Sequence, residues 1–298
     1  MSPTVSIVVP TYNRLEYLRT SLASVFAQTF QDWELLIADD GSGEQTLAYL
    51  RSLSDARVRL LQLPHSGRPS VARNAGLGQA RGEFIAFLDS DDQWLPGKLQ
   101  AQLDSIRRHP HRGWGHTRYV LVDESGSPTE WARRTGGWPT PQGWILGPLV
   151  RSETVIALPS VLVRRALLDR AGGFDEDLVM SEDYELWLRL ASLSEIDAVP
   201  EPLTLVLRHR QHSGNEITAF RDTVRAFDKL LLSGSAGGLV HALRKERAEV
   251  YGGLARSYAA NGQARNALAT LAGSFGLSWR YPKWWLRAFE TTARVVLR

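Results

Sequence analysis

Over its first hundred residues the chain repeats one unit: a short apolar, β-branched run followed by a stretch of helical periodicity. Val5-Ser-Ile-Val-Val9 has the composition of a strand buried on both faces, and Leu15, Leu18, Leu22 and Val25 follow at helical spacing. Glu34 to Ala38 reads as a second strand, a helix through Leu47 to Leu53 precedes a third at Val58 to Leu63, and a helix from Ser70 through Gly78 precedes a fourth at Glu83 to Leu88. Leu99, Leu103 and Ile106 mark the next helix. This alternation predicts an α/β fold with a mostly parallel central sheet and helices on both faces. Ligands of such sheets sit outside the carboxyl ends of the strands.

Two of those strands end in acid: Asp39-Asp40-Gly41-Ser42 and Asp89-Ser90-Asp91-Asp92. Gathering carboxylates at a half-buried sheet edge is costly unless cations or hydrogen-bond donors compensate them. Asp89-Ser-Asp91 is a D-x-D at a strand end, where alternate side chains can aim at one point. Oxygen ligands favour hard cations, Mn²⁺ or Mg²⁺, and Mg²⁺ is usually held by one or two carboxylates plus substrate phosphates. By itself the pattern suits either half-exposed Asp residues of a turn or a nucleoside diphosphate held with a divalent ion. Other chemistries are excluded by the sequence itself. Cys is absent, which removes disulfides, thiolate metal sites and Cys nucleophiles and fits a reducing compartment. There is no Walker loop, no G-x-S-x-G and no H-E-x-x-H, and Gly41-Ser-Gly43 lacks the third glycine of a dinucleotide fingerprint. The seven His residues show no zinc spacing. No signal-type start precedes Pro10, and no apolar run nears the roughly 20 residues of a membrane span.

Strand and helix signals weaken over 110–160, where Trp114, Trp131, Trp138 and Trp144 stand among Gly and Pro. Strands are expected near Tyr119 to Val122 and Val155 to Val163, with a long loop between. Gly172-Gly173-Phe174 reads as a turn, Ser181 as the cap of a helix through Leu193, and Leu203 to Leu207 as the last strand. From about 216 the pattern is helical, broken at Gly234 to Gly238, with helices expected over 239–260, 263–273 and 282–297. The charge divides in the same place: residues 220–298 carry 13 Lys/Arg and 5 Asp/Glu, although the whole chain is only +3. Trp279, Tyr281, Trp284 and Trp285 alternate with Arg280, Lys283 and Arg287, a composition suited to an anionic membrane surface, to the rest of the chain or to a protein partner. No nucleic-acid recognition motif accompanies the charge.

Six stretches, in order and at matching spacing, resemble the family 2 glycosyltransferases with a GT-A fold. They are Val5-Ser-Ile-Val-Val-Pro-Thr-Tyr-Asn-Arg14, Ala38-Asp-Asp-Gly-Ser42, Ala72-Arg-Asn-Ala-Gly76, Gly82-Glu-Phe-Ile-Ala-Phe-Leu-Asp-Ser-Asp-Asp92, Gly172-Gly-Phe-Asp-Glu176 and Glu182-Asp-Tyr-Glu-Leu-Trp-Leu-Arg189. The resemblance covers about 3–215. It implies a catalytic domain over 1–215 and a helical extension over 216–298. It also implies an inverting, metal-dependent transfer of a sugar from a nucleotide-sugar, UDP- or dTDP-linked, to a hydroxyl acceptor in polysaccharide, glycolipid or O-antigen-type assembly, at the cytoplasmic face of a membrane. The alternatives are a non-catalytic nucleotide-sugar-binding or scaffold protein and, less in keeping with Pro-Thr-Tyr-Asn-Arg14, a nucleotidyltransferase.

Residue by residue, the resemblance places Pro10, Thr11 and Tyr12 at the base, with Tyr12 stacked on it. Asp40, with Asp39 beside it, would accept the ring N–H that uracil and thymine carry. Arg73 and Asn74 would lie near the nucleotide, Asp89 with Ser90 at the ribose, and Asp91 or Asp92 on the metal. Asp183 would be the general base, with Glu182 the lesser candidate. Arg210 and His212 would meet the diphosphate and metal, with His209 an alternative to His212. Acceptor sugars would meet the Trp131 to Trp144 loop.

Overall fold

The computed structural model describes residues 2–135, 137–208 and 215–296. The expected alternation is realised in chain order as β1 (Val5–Thr11), α1 (Leu15–Phe26), β2 (Trp33–Asp39), α2 (Glu44–Arg51), β3 (Val58–Gln62), α3 (Pro69–Gln79) and β4 (Phe84–Phe87). Then follow β5 (Gln93–Trp94), α4 (Lys98–Arg108), β6 (Trp114–Val122), α5 (Glu130–Thr135), α6 (Leu146–Val150), β7 (Val161–Arg164), α7 (Arg165–Ala171), α8 (Glu182–Leu193) and β8 (Ile196–Leu207). Four helices come last: α9 (Glu216–Leu232), α10 (Val240–Ala260), α11 (Ala264–Ser278) and α12 (Pro282–Val296).

Two compact units result. The first comprises Met1–Ile145, Thr154–Glu176 and Leu193–His212, the second Leu146–Glu153, Asp177–Ser192 and Ser213–Arg298. Among the described residues all eight strands belong to the first, in the order β3-β2-β1-β4-β7-β6-β8-β5. β1 and β2 are buried at every position, as their largely apolar runs require of central strands, with Ser6 and Glu34 buried among them. β1 runs parallel to β2 and β4, and β2 to β3, so the first four strands form a wholly parallel block. β7 joins antiparallel to β4 and β6, and β6 pairs β8 in parallel. Leu18, Leu22 and Val25 of α1 and Leu99, Leu103 and Ile106 of α4 close the core against the strands.

A buried acid ties this block together. Glu34 accepts from the Ser6 hydroxyl at 2.7 Å and from the Arg81 amide at 2.7 Å, while the Arg81 guanidinium reaches its second oxygen at 2.8 and 3.0 Å. Burial alone would push Glu34 up; the donors outweigh it and hold the carboxyl below its ordinary value.

Three strand expectations need correction. The strand expected from Val155 begins only at Val161, after a 3₁₀ turn over Leu158–Ser160 in which Pro159 has no amide to give a ladder. β6 starts earlier, at Trp114, directly after Gly113, where a Cβ would lie 2.6 Å from Leu167. β8 starts at Ile196 and crosses Pro200 and Pro202, where its register with β6 shifts. The long loop expected after β6 contains α5 and α6.

In the second unit Ala248, Ala255, Leu271, Trp284 and Ala288 form a small core, and the Trp284 indole donates to Ser274 Oγ at 3.1 Å. Asp222 of α9 accepts the Val179 and Met180 amides at 2.8 and 2.9 Å, and Tyr184 of α8 packs edge-on to Phe227. Among the described residues no helix is long and apolar enough to cross a membrane.

Candidate active site

Register brings three loop starts of the first unit to one edge of the sheet. Thr11 pairs with Asp39 and Val8 with Phe87; beyond the ladders, the Asp40 amide donates to the Thr11 carbonyl at 2.9 Å and the Leu88 amide to the Val8 carbonyl at 3.1 Å. In the order β3-β2-β1-β4 the strand sequence reverses between β1 and β4, the switch point where open α/β sheets bind ligands. A cleft of about 350 Å³ opens here, and its walls include Pro10, Thr11, Tyr12, Asp40, Arg73, Asp89, Ser90 and Asp91. Eight of the residues singled out in the sequence thus meet.

Local chemistry explains the loop after β1. Asn13 sits at φ 50°, a conformation Asn tolerates better than most residues. Its side chain accepts the Gly43 amide at 2.8 Å, and its own amide donates to Ser42 Oγ at 2.9 Å, so the two loops are laced together. Asp39 accepts the Ser42 amide at 3.1 Å and has its other oxygen buried without a partner among the described residues. It braces the turn and is absent from the cleft wall, whereas Asp40 faces the cleft.

Asp40 is held by the 65–67 segment. Its carboxylate accepts the Ser66 amide and hydroxyl, both at 2.8 Å, and the Gly67 amide at 2.9 Å. Burial raises its pKa, but those bonds and the nearby His65 bring it below the ordinary value, so it is an acceptor at neutral pH. His65 Nδ1 lies 2.8 Å from the Asp40 carbonyl, and its ring stacks on Tyr12 with centroids 4.1 Å apart and planes 20° off parallel. Gly41, at φ 81°, permits this: a Cβ there would lie 3.0 Å from the His65 amide nitrogen.

Each D-x-D carboxylate carries an arginine. Arg73 donates to Asp89 Oδ1 at 2.7 Å, and Arg14 to Asp91 Oδ2 at 2.6 Å. Asp92 turns inward and accepts the Leu207 amide at 2.8 Å; burial, then the Asp89 and Asp91 charges, push it well above the carboxylate range. Asn74 is also turned from the cleft. It donates to the Phe174 carbonyl and Glu176 Oε1 and accepts the Phe174 amide, all at 2.8 Å, which secures the turn after α7.

Asp89 and Asp91 are hard oxygen donors, and their chemistry fits Mg²⁺ or Mn²⁺. Among the described residues no group of three or more His, Cys, Asp or Glu is placed to hold a metal. Two carboxylates leave the other positions to phosphate oxygens and water, the usual arrangement for Mg²⁺ at a diphosphate. Glu182 and Asp183 lie in the first turn of α8, in the second unit, where the helix dipole favours negative charge. Arg210, His212 and His209 lie outside the described residues. Trp131 packs on Trp138 at 5.6 Å, and Trp144 is 63 % exposed.

Sequence reasoning missed Arg14, His65, Ser66 and Gly67. Arg14 closes the first motif, but its partner Asp91 is 77 residues away, a separation no local pattern reports.

A sequence-family model described as glycosyl transferase family 2 matches residues 6–147. The Escherichia coli protein named UDP-Glc:alpha-D-GlcNAc-diphosphoundecaprenol beta-1,3-glucosyltransferase WfgD is 32% identical over 195 residues, 65% of this chain and 72% of that protein. Two other curated relatives are matched over about half their length, 51% and 50%. Among solved structures, S. aureus TarS 1–349 in complex with UDP superposes with a TM-score of 0.67 at 21% identity, covering 99% of this chain and 88% of that one. The mannosyltransferase PcManGT from Pyrobaculum calidifontis, in complex with GDP-Man and Mn²⁺, gives a TM-score of 0.61 at 20% identity, covering 99% and 86%. These likenesses bear on architecture: it is GT-A with C-terminal helices, as expected from the sequence.

Proposed function

The chain belongs to glycosyl transferase family 2, and from that premise we propose that it moves a sugar from a UDP- or dTDP-sugar to an acceptor hydroxyl, with inversion at the anomeric carbon. The observation that carries this reading is Asp40: an ionised carboxylate at the cleft wall, beside Tyr12 and facing a D-x-D. It would accept the N–H of uracil or thymine, a donor that cytosine lacks. Tyr12 would offer the base its ring face, with His65 on or displaced from the same stack. Arg73 would orient Asp89 for the ribose, with Ser90 next to it.

Mn²⁺ or Mg²⁺, held by Asp91 rather than the inward-turned Asp92 and with His212 as a further candidate, would offset the negative charge that builds on the leaving diphosphate. Arg14 would have to leave Asp91 for this, and its guanidinium then suits a phosphate oxygen. Arg210 has the same charge to offer. Asp183 would take the acceptor proton as the oxygen attacks the anomeric carbon. The bond from that carbon to the diphosphate breaks, and its electron pair leaves with the phosphate. An ordinary carboxylate is a weak base, useful only as the hydroxyl loses its proton in the transition state.

For the acceptor, WfgD's name supports a lipid-linked diphosphate sugar, and Trp144 with the Trp131–Trp138 pair is suited to sugar rings. We read 1–215 as the catalytic domain and 216–298 as a helical extension that meets an anionic membrane surface peripherally. On α12, Trp285, Leu286 and Phe289 are exposed by 50%, 60% and 76%, in a stretch rich in Arg and Lys. The test is calorimetric titration with UDP, dTDP, GDP and CDP, with and without Mn²⁺. Metal-dependent binding of UDP or dTDP that Asp91→Ala abolishes is expected. Failure of every diphosphate to bind in the presence of metal would overturn the donor reading.

A further inference from the structure

We propose that the second unit contains a binding site for a lipid that ends in a phosphate. The site is a cavity of about 740 Å³ walled by the last turn of α9, the first turns of α10, the end of α11 and the Trp279–Tyr281 turn. Every wall residue belongs to the second unit, and the inference does not depend on the donor reading.

The polar half of the cavity asks for an anion. Arg244, Arg247 and Arg280 stand on its walls against one carboxylate, Asp228, which pairs with Arg247 at 2.5 Å. The balance is two positive charges. Arg247 is mostly buried, and its Nε–H has no hydrogen-bond partner among the described residues. Ser278 is fully buried, and its hydroxyl is likewise unpartnered there. Buried donors are almost always satisfied in folded proteins, and two unsatisfied ones in residues that wall a single cavity suit a ligand rich in acceptor oxygens. Phosphate supplies several, with the charge the arginines require. α9 and α11 end here with their carbonyls, which disfavour an anion, so the arginines decide the sign.

The apolar half asks for a chain. Leu232 is 87% exposed, Leu277 53% and Trp279 47%, and all three wall the same cavity. Three bare apolar side chains gathered on one basic cavity make a patch that a hydrocarbon chain would cover. A free anion would leave them in water, and a neutral chain would leave the arginines and Ser278 unanswered. A phosphate-terminated lipid meets both demands.

The test uses the full chain with EDTA present. Dodecyl phosphate below its micelle concentration is titrated by calorimetry and by tryptophan fluorescence, with inorganic phosphate and dodecanol as separate arms. Saturable binding of dodecyl phosphate is expected, with both other compounds roughly tenfold weaker or worse. The Arg244→Ala/Arg280→Ala pair should lose a similar factor, and UDP should not compete. Should that pair fail to fold, Ser278→Ala, which removes one hydroxyl, decides by weakening dodecyl phosphate and leaving dodecanol unchanged. The proposal falls if binding is not saturable, if phosphate or dodecanol alone binds as well, if the folded variants bind like the parent, or if UDP displaces the amphiphile.

Discussion

Asp40 accepts three hydrogen bonds from Ser66 and Gly67, which tie the turn after β2 to the 65–67 segment. Asp40→Asn would present an amide N–H₂ to at least one of those donors. The buried mismatch should cost about 1–3 kcal/mol of stability and, on the proposed reading, cut UDP affinity by more than roughly tenfold. Denaturant titration and calorimetry on the same preparation check both. His116 makes a pH prediction at the same scale. It is buried in β6 with Nε2 2.9 Å from the Pro141 carbonyl, and burial pushes its pKa down from 6.5 to about 4. Between those values the unfolded chain binds a proton that the folded chain refuses. Stability is therefore full above about pH 6.5 and falls as pH drops toward 4, by up to about 3 kcal/mol. Urea midpoints at pH 7 and pH 5 should differ accordingly, and His116→Gln should flatten the difference. Asp40 was legible through the family resemblance of Ala38-Asp-Asp-Gly-Ser42, and the structure puts it on the cleft wall. The burial of His116 and the meeting of Arg14 with Asp91 were not legible, since both depend on partners 25 and 77 residues away.

At the scale of elements, the strands and helices of the first hundred residues follow from hydrophobic period, because β1 and β2 are buried throughout and mostly apolar, with Ser6 and Glu34 satisfying one another inside them. Past Arg108 the reading loosens where proline and glycine alter register: Pro159 delays β7, and Pro200 and Pro202 shift β8 against β6. Glycines mark the same logic in the parallel block. At Gly82 a Cβ would lie 2.5 Å from the Ser6 amide nitrogen and 2.8 Å from the Val5 carbonyl carbon, both backbone atoms of a central strand. Gly82→Ala can be accommodated only by moving β1, and it should cost about 1–3 kcal/mol. Gly78, inside α3, has nothing within 4 Å of the same added atom. Gly78→Ala should be neutral or stabilise by up to about 1 kcal/mol. Opposite shifts in the guanidinium midpoint are the expected outcome, and equal shifts would contradict the contact argument.

Across the whole molecule, the second compact unit takes in 146–153 and 177–192 together with 213–298. Nothing in the local pattern of α8 announces this, because an amphipathic helix does not say which neighbour covers it. The consequence falls on Asp183, which opens α8. The segment before it is fastened by Asp222, which accepts the Val179 and Met180 amides, and Tyr184 beside it packs on Phe227 and donates to the Leu149 carbonyl at 3.0 Å. A chain cut after residue 215 would lose Asp222 and Phe227, leaving two amides without their acceptor and one face of the Tyr184 ring bare. Each stranded amide costs about 1–3 kcal/mol if it stays buried. The truncated chain is therefore expected to unfold well below the full chain in a thermal melt and to lose transfer first, as α8 loosens. Asp183→Asn in the full chain separates the two effects: it should keep the parent melting profile and UDP binding while abolishing transfer. A truncated chain that melts like the parent would show that α8 does not need α9, and an Asp183→Asn chain that still transfers would remove Asp183 from the chemistry.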